Sequence, residues 1–165
     1  MYDDIKSEMV ALVPRLRRFG YSLSGSRDEG EDLVQTACLK ALGKLDQFQP
    51  GTRLDSWMFR IVQTTWIDRV RSRSRRAEVS DPDDFARVSD DGKGARVAEG
   101  RMTLAKVRER MKALPEDQRA VLALVAIEGY SYKAAAEALE IPVGTVMSRL
   151  ARARSKLLPL LKENN

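Results

Sequence analysis

Apolar residues in this chain recur at steps of three and four and nowhere alternate with period two, which confines the fold to helices. Ile5, Met9, Leu12, Val13 and Leu16 make one face of a first helix. Leu33, Val34, Ala37, Cys38, Ala41 and Leu42 make the stripe of a second. Ser26 and Glu29 stand at capping-box spacing at its start, and the acids Asp28, Glu29, Glu31 and Asp32 crowd its positive end. Phe48-Gln49-Pro50-Gly51 reads as a turn, after which residues 52–55 cap a long helix reaching about Arg76. The first half is thus predicted to hold three or four helices.

The second half starts with a helix over residues 101–113 and restarts at Pro115, which costs no hydrogen bond at a helix start and is followed by Glu116 and Asp117. Val121, Leu122, Leu124, Val125 and Ile127 place that helix at the centre of its unit, and Gly129 ends it. Ser131 caps a short helix over 132–139, and Ile141-Pro142 opens the last one. Short helix, tight turn and second helix make a helix-turn-helix.

Between the halves, residues 78–100 carry seven acids against Arg87, Lys93 and Arg96, include three glycines and a proline, and show no apolar period. They read as an acidic flexible linker. The expected fold is all-α, with domains at 1–77 and 101–165 joined by that linker. Each domain is small enough to need support from the other or from a partner.

Absences prune the functions. There is no histidine, so no imidazole base and no His-based metal site. A single cysteine, Cys38, excludes an internal disulfide and a thiolate zinc site, and reads as a small buried hydrophobe. No phosphate-cradling glycine loop is present. The expectation is no enzyme, no metal and no cofactor. No apolar run is long enough to span a bilayer, and Asp3, Asp4 and Glu8 interrupt any signal-peptide core, so a cytoplasmic location is expected.

Charge is arranged as basic, acidic, basic, with a net of +5. In the last helix Val143, Val146, Leu150, Ala153 and Leu157 should pack inward. Thr145, Arg149, Arg152 and Lys156 form a second stripe with Ser148 beside it, the division a recognition helix needs in a major groove. A merely solvated basic face is the plain alternative. Phe48, Trp57, Phe59 and Trp66 lead into Arg69, Arg71, Arg73, Arg75 and Arg76, with Arg60 among them. Rings beside guanidinium groups are the ingredients of a single-strand site, although Trp57 and Phe59 also suit a core.

Five motifs in order resemble the bacterial extracytoplasmic-function, or group IV, sigma factors of the sigma-70 type. Residues 31–35 (EDLVQ) are similar to the family's region 2.2, 54–61 (LDSWMFRI) to region 2.3 and 67–71 (IDRVR) to region 2.4. Residues 114–119 (LPEDQR) with 128–132 (EGYSY) resemble region 4.1 into 4.2, and 141–154 the −35 recognition helix. The resemblance implies a σ2-like domain that binds core RNA polymerase and melts the −10 element, and a σ4-like domain that reads the −35 duplex. It implies docking of Asp32, Gln35 and Lys40 on the polymerase β′ clamp, a contact to the β flap, and an anti-sigma factor as inhibitor. Phe48, Trp57, Arg60, Thr64, Trp66, Arg69, Arg71 and Arg73 would serve the −10 strand, with a flipped base captured around residues 48–55. Glu140 stands where the family has glycine, Met147 replaces a common lysine, and Thr64 a frequent asparagine. A stand-alone helix-turn-helix regulator and a sigma-like decoy for an anti-sigma factor are the alternatives.

Overall fold

A computed structural model describes residues 2–77 and 104–162, and every element in them is helical. The linker reading therefore lies outside the described residues, as does the start of the helix expected over 101–113. The first unit consists of α1 (Tyr2–Ser24), α2 (Arg27–Leu42), a single 3-10 turn (Leu45–Gln47) and α3 (Leu54–Ala77). The second consists of α4 (Leu104–Met111), α5 (Glu116–Leu122), α6 (Tyr132–Leu139) and α7 (Val143–Lys162).

The local signals act as their chemistry requires. Ser26 caps α2 by accepting from the Glu29 N–H. Ser131 does the same for α6 through Ala134 N–H at 3.0 Å. Pro115 stands at the N-cap of α5, one place earlier than expected. Beyond Leu122 the helix widens into a π turn (Ala123–Ile127), and Gly129 at φ +76° then reverses the chain. Glu140 occupies the left-handed region at φ 56°, ψ 46°, a conformation costing a non-glycine residue about 1 kcal/mol. Its carboxylate pairs with Arg60 at 3.1 Å.

Close approach of α1 and α2 organises the first unit. A Cβ on Gly30 would sit 2.8 Å from Tyr21 N and 2.9 Å from Gly20 C, so the two backbones touch there. Leu16, Phe19 and Leu23 of α1, Leu33 and Ala37 of α2, and Met58, Phe59 and Val62 of α3 are wholly buried around that crossing. The second core gathers Met111, Val121, Leu124, Ala135 and Ala138 with Val146, Leu150 and Ala153 of α7. Leu42, read into the stripe of α2, is instead 43% exposed, although Ala41 beside it is wholly buried.

The units pack on one another. Phe59 meets Phe19 edge-on at 5.0 Å and Tyr130 of the second unit at 5.5 Å. Arg119, buried, donates to the Leu23 carbonyl of α1 and to the carbonyls of Lys112 and Leu114.

Two glycine substitutions should therefore part company. Helix propensity alone favours alanine over glycine by about 1 kcal/mol at an interior position. Gly144→Ala, which meets nothing within 4 Å, should gain part of that. Gly30→Ala should lose about 1–3 kcal/mol in urea melts, because overpacking against rigid backbone outweighs propensity.

Candidate nucleic-acid interface

α7 is seated by Val146, Leu150, Ala153 and Leu157, all buried. Val143, expected to join them, is 41% exposed, since it stands in the first turn, ahead of the buried seat. On the free side Ser148, Arg152, Arg154, Ser155 and Lys156 are exposed, with Thr145 half-buried. Ser148 spends its hydroxyl proton on the Thr145 carbonyl at 3.1 Å. Arg149 differs from its neighbours. It is half-buried, with Nε 3.4 Å from Asp117 of α5, so that part of its charge serves the domain itself. Met147 is 53% exposed at the N-terminal end of the same helix.

The α3 residues are placed less openly than their sequence setting implied. Phe48 is buried and pairs with half-buried Trp57 at 5.2 Å between ring centroids. Trp66 is also buried, and its indole N–H donates to Glu116 of α5. Its threonine neighbours suggested exposure, yet Thr65 is itself buried and donates to the Ile61 carbonyl. Arg60 reaches the second unit, donating to the carbonyls of Glu137 at 2.7 Å and Ala138 at 3.1 Å. These lie in the last turn of α6, whose carbonyls lack partners within their own helix and attract a cation. Thr64 is exposed and donates to the Ile61 carbonyl.

The arginine run divides. Arg69 pairs with Asp32 at 2.7 Å and donates to Thr36 at 2.8 Å, while Arg73 pairs with Glu29 and covers the Trp66 ring at 5.7 Å. Arg71, Arg75 and Arg76 are exposed. On α2, Asp32, Gln35 and Lys40 are exposed, with Lys40 Nζ 3.4 Å from Thr65 Oγ1. Leu39, 71% exposed between them, lies off the apolar stripe and carries no polar group that would mark it in the sequence as part of a surface. Asp32, expected on the polymerase side, is thus paired with Arg69, expected on the DNA side. Cys38 is half-buried, and burial pushes its thiol pKa up. Among the described residues, no cluster of three or more acidic or sulfur ligands is placed to hold a metal ion, and no helix is long and apolar enough to cross a membrane.

Between the units lies a polar node that sequence reasoning did not assemble. Tyr130 donates to Asp55 Oδ2 at 2.6 Å, and Arg53 grips the same carboxylate through two bonds. Arg18 grips the Glu128 carboxylate at 2.8 and 2.9 Å, and that side chain has no exposed surface. Burial alone would raise the Asp55 pKa. Arg53, the Tyr130 hydroxyl and the Ser56 N–H overcome it and hold the group below the ordinary carboxylate value. Burial and the neighbouring Asp55 push Tyr130 up to about 12.

Comparison with known proteins gives consistent matches. The sigma-70 region 2 family matches residues 9–76, and the sigma-70 region 4 family matches residues 104–157. The chain is 41% identical over 162 residues to the ECF RNA polymerase sigma factor EcfG of Rhodopseudomonas palustris (strain TIE-1), covering 96% of this chain and 86% of that one. Among solved structures it is similar to the sigma factor RpoE of Bartonella quintana in complex with the anti-sigma factor NepR. That match has a TM-score of 0.81 and 34% identity, and covers 98% of this chain and 99% of that one. It shares its fold with CnrH in complex with the cytosolic domain of CnrY, at a TM-score of 0.72 and 24% identity, covering 100% and 92% of the two chains.

The node makes the packing of the two units pH-dependent at both ends. Tyr130 has its pKa raised by folding, so its contribution is complete below the ordinary tyrosine value near 10 and is lost as pH rises through about 12. Asp55 has its pKa lowered, so its contribution is complete above the ordinary carboxylate range and is lost as pH falls below it. Thermal melts across pH should show both limbs, and Tyr130→Phe should remove the alkaline limb while leaving the acid one.

Proposed function

This chain belongs to the extracytoplasmic-function group of the sigma-70 family, and from that membership we propose how its surfaces divide the work of starting transcription. It is an alternative sigma factor that directs transcription, with core RNA polymerase and promoter DNA as its partners. The σ2-like unit, taken as residues 1–77, binds core polymerase and opens the −10 element. The σ4-like unit, taken as residues 101–165, reads the −35 duplex. The protein acts in the cytoplasm and carries no catalysis of its own.

The observation that carries this division is the free face of α7, where Arg152, Arg154 and Lys156 are exposed over a fully buried seat. A major groove accepts such a helix, and an arginine fork there engages guanine or phosphate through two bonds. Thr145, Ser148 and Arg149 complete that surface. The exposed side of α2, with Asp32, Gln35, Lys40 and the apolar Leu39, suits the β′ clamp, and the β flap receives the σ4-like unit. Arg60, Thr64, Arg69, Arg71 and Arg73 follow the opening strand, with the rings of Phe48, Trp57 and Trp66 behind them. The likeness to a sigma factor held by NepR supports an anti-sigma factor as the regulator of this chain too.

Run-off transcription with purified core enzyme on genomic promoter fragments tests the reading. Start sites that depend on the added protein are expected. Duplex binding with no assembly on core and no initiation would return the stand-alone regulator instead. Within the active complex, Arg152→Ala should cost about 1–3 kcal/mol of promoter affinity and relax discrimination at one −35 position if it reads a base. A uniform loss with a shallower salt slope would make it a phosphate clamp.

A further inference from the structure

The ring of Tyr130 sits in a socket formed by Arg15, Arg53, Asp55 and Phe59 of the other unit. The Arg53 guanidinium carbon lies 5.0 Å from the ring centroid, that of Arg15 lies 5.8 Å away, and Phe59 meets the ring edge-on at 5.5 Å. At the rim the Tyr130 hydroxyl donates to Asp55 at 2.6 Å and receives a bond from Arg15 at 3.3 Å. Only 7% of Tyr130 remains exposed.

None of this recognises tyrosine as such. Two guanidinium groups against a π face and one carboxylate at the ring edge accept a planar ring bearing an exocyclic hydroxyl or amino donor at that edge. Adenine and cytosine meet both conditions, with a stacking face and an exocyclic amino group that an aspartate can accept from. The socket also stands where strand contacts are proposed, since Arg53 and Asp55 close the loop that begins at Phe48 and open α3. Neighbouring α3 groups are engaged by the second unit as well, Arg60 by the end of α6 and Trp66 by Glu116.

We infer that this socket is a ring-binding site with two mutually exclusive occupants: Tyr130 while the units are packed together, and an unstacked amino-bearing base of single-stranded DNA once they part. The inference rests on the strand-opening role proposed above for the first unit. Tyr130 then acts as an internal competitor. The free protein binds single strands weakly, because apparent affinity falls with the fraction of molecules whose socket is vacant.

Fluorescence anisotropy on the full chain, with labelled short oligomers of dA, dC and dT, tests this. Tyr130→Ala should bind the dA and dC oligomers roughly five-fold or more tightly than the wild type, and should prefer them to dT. Tyr130→Phe, which keeps the ring but loses its bond to Asp55, should fall between the two and carries the test if the alanine variant does not fold. Adding Asp55→Ala to either Tyr130 variant should erase the preference for amino-bearing bases. The inference is overturned if neither tyrosine variant binds more tightly than the wild type. It is equally overturned if the gain is the same for dT and survives Asp55→Ala. No polymerase enters this measurement, so a chain that initiates in run-off assays yet shows no gain loses the socket alone. Failure to initiate bears on the proposed function instead.

Discussion

Phe59 belongs to two cores at once, and the arrangement of the molecule follows from that. It is wholly buried, with Phe19 of its own unit on one side and Tyr130 of the other unit on the opposite side. Units of this size bury too little apolar surface to be comfortable alone, because exposed area falls slowly as a domain shrinks. Sharing a ring across the boundary relieves both. It also sets where the rest of the boundary lies, since α3 is then held against α6 and α1 against α5.

Around that apolar point the boundary is polar, and guanidinium groups cross it both ways, Arg119 of the second unit donating to the Leu23 carbonyl of the first. Guanidinium groups of the first unit reach carboxylates and carbonyls of the second: Arg18 to Glu128, and Arg60 to the last turn of α6 and to Glu140. A buried carboxylate such as Glu128 loses hydration that only a close partner restores, so the pair specifies the docked geometry more than it adds net stability. Boundaries of this mixed kind resemble transient protein interfaces, and relative motion of the two units is their ordinary behaviour. The groups that hold the packed form include Arg60 and Trp66, both among those proposed to meet the opening strand. Closure and the proposed strand contact therefore draw on the same side chains.

Much of the architecture was legible from sequence because its causes are short-range. The hydroxyl of Ser26 acts on an amide three residues away, and that of Ser131 likewise. The stripe of α7 follows from the helical repeat, so its buried side and its free side were both readable, apart from Val143 in the first turn. The expected lean of the two halves on one another followed from their size, but no local pattern specified the residues that meet.

Helix positions, caps and the basic free face of the last helix were thus decided by the amino-acid order itself, through hydrogen bonds and periodicity spanning a few residues, whereas the left-handed turn at Glu140 was foreshadowed only by the family resemblance. The fates of Trp66, Arg60, Arg149 and Tyr130 were decided only by tertiary structure. Trp66 and Arg60 find partners in the other unit, at Glu116 and in the last turn of α6, and Arg149 finds Asp117 on another helix of its own unit. Tyr130 finds Asp55, 75 positions away. Burial of an aromatic ring or pairing of an arginine depends on which distant surface docks beside it, and helical periodicity carries no record of that.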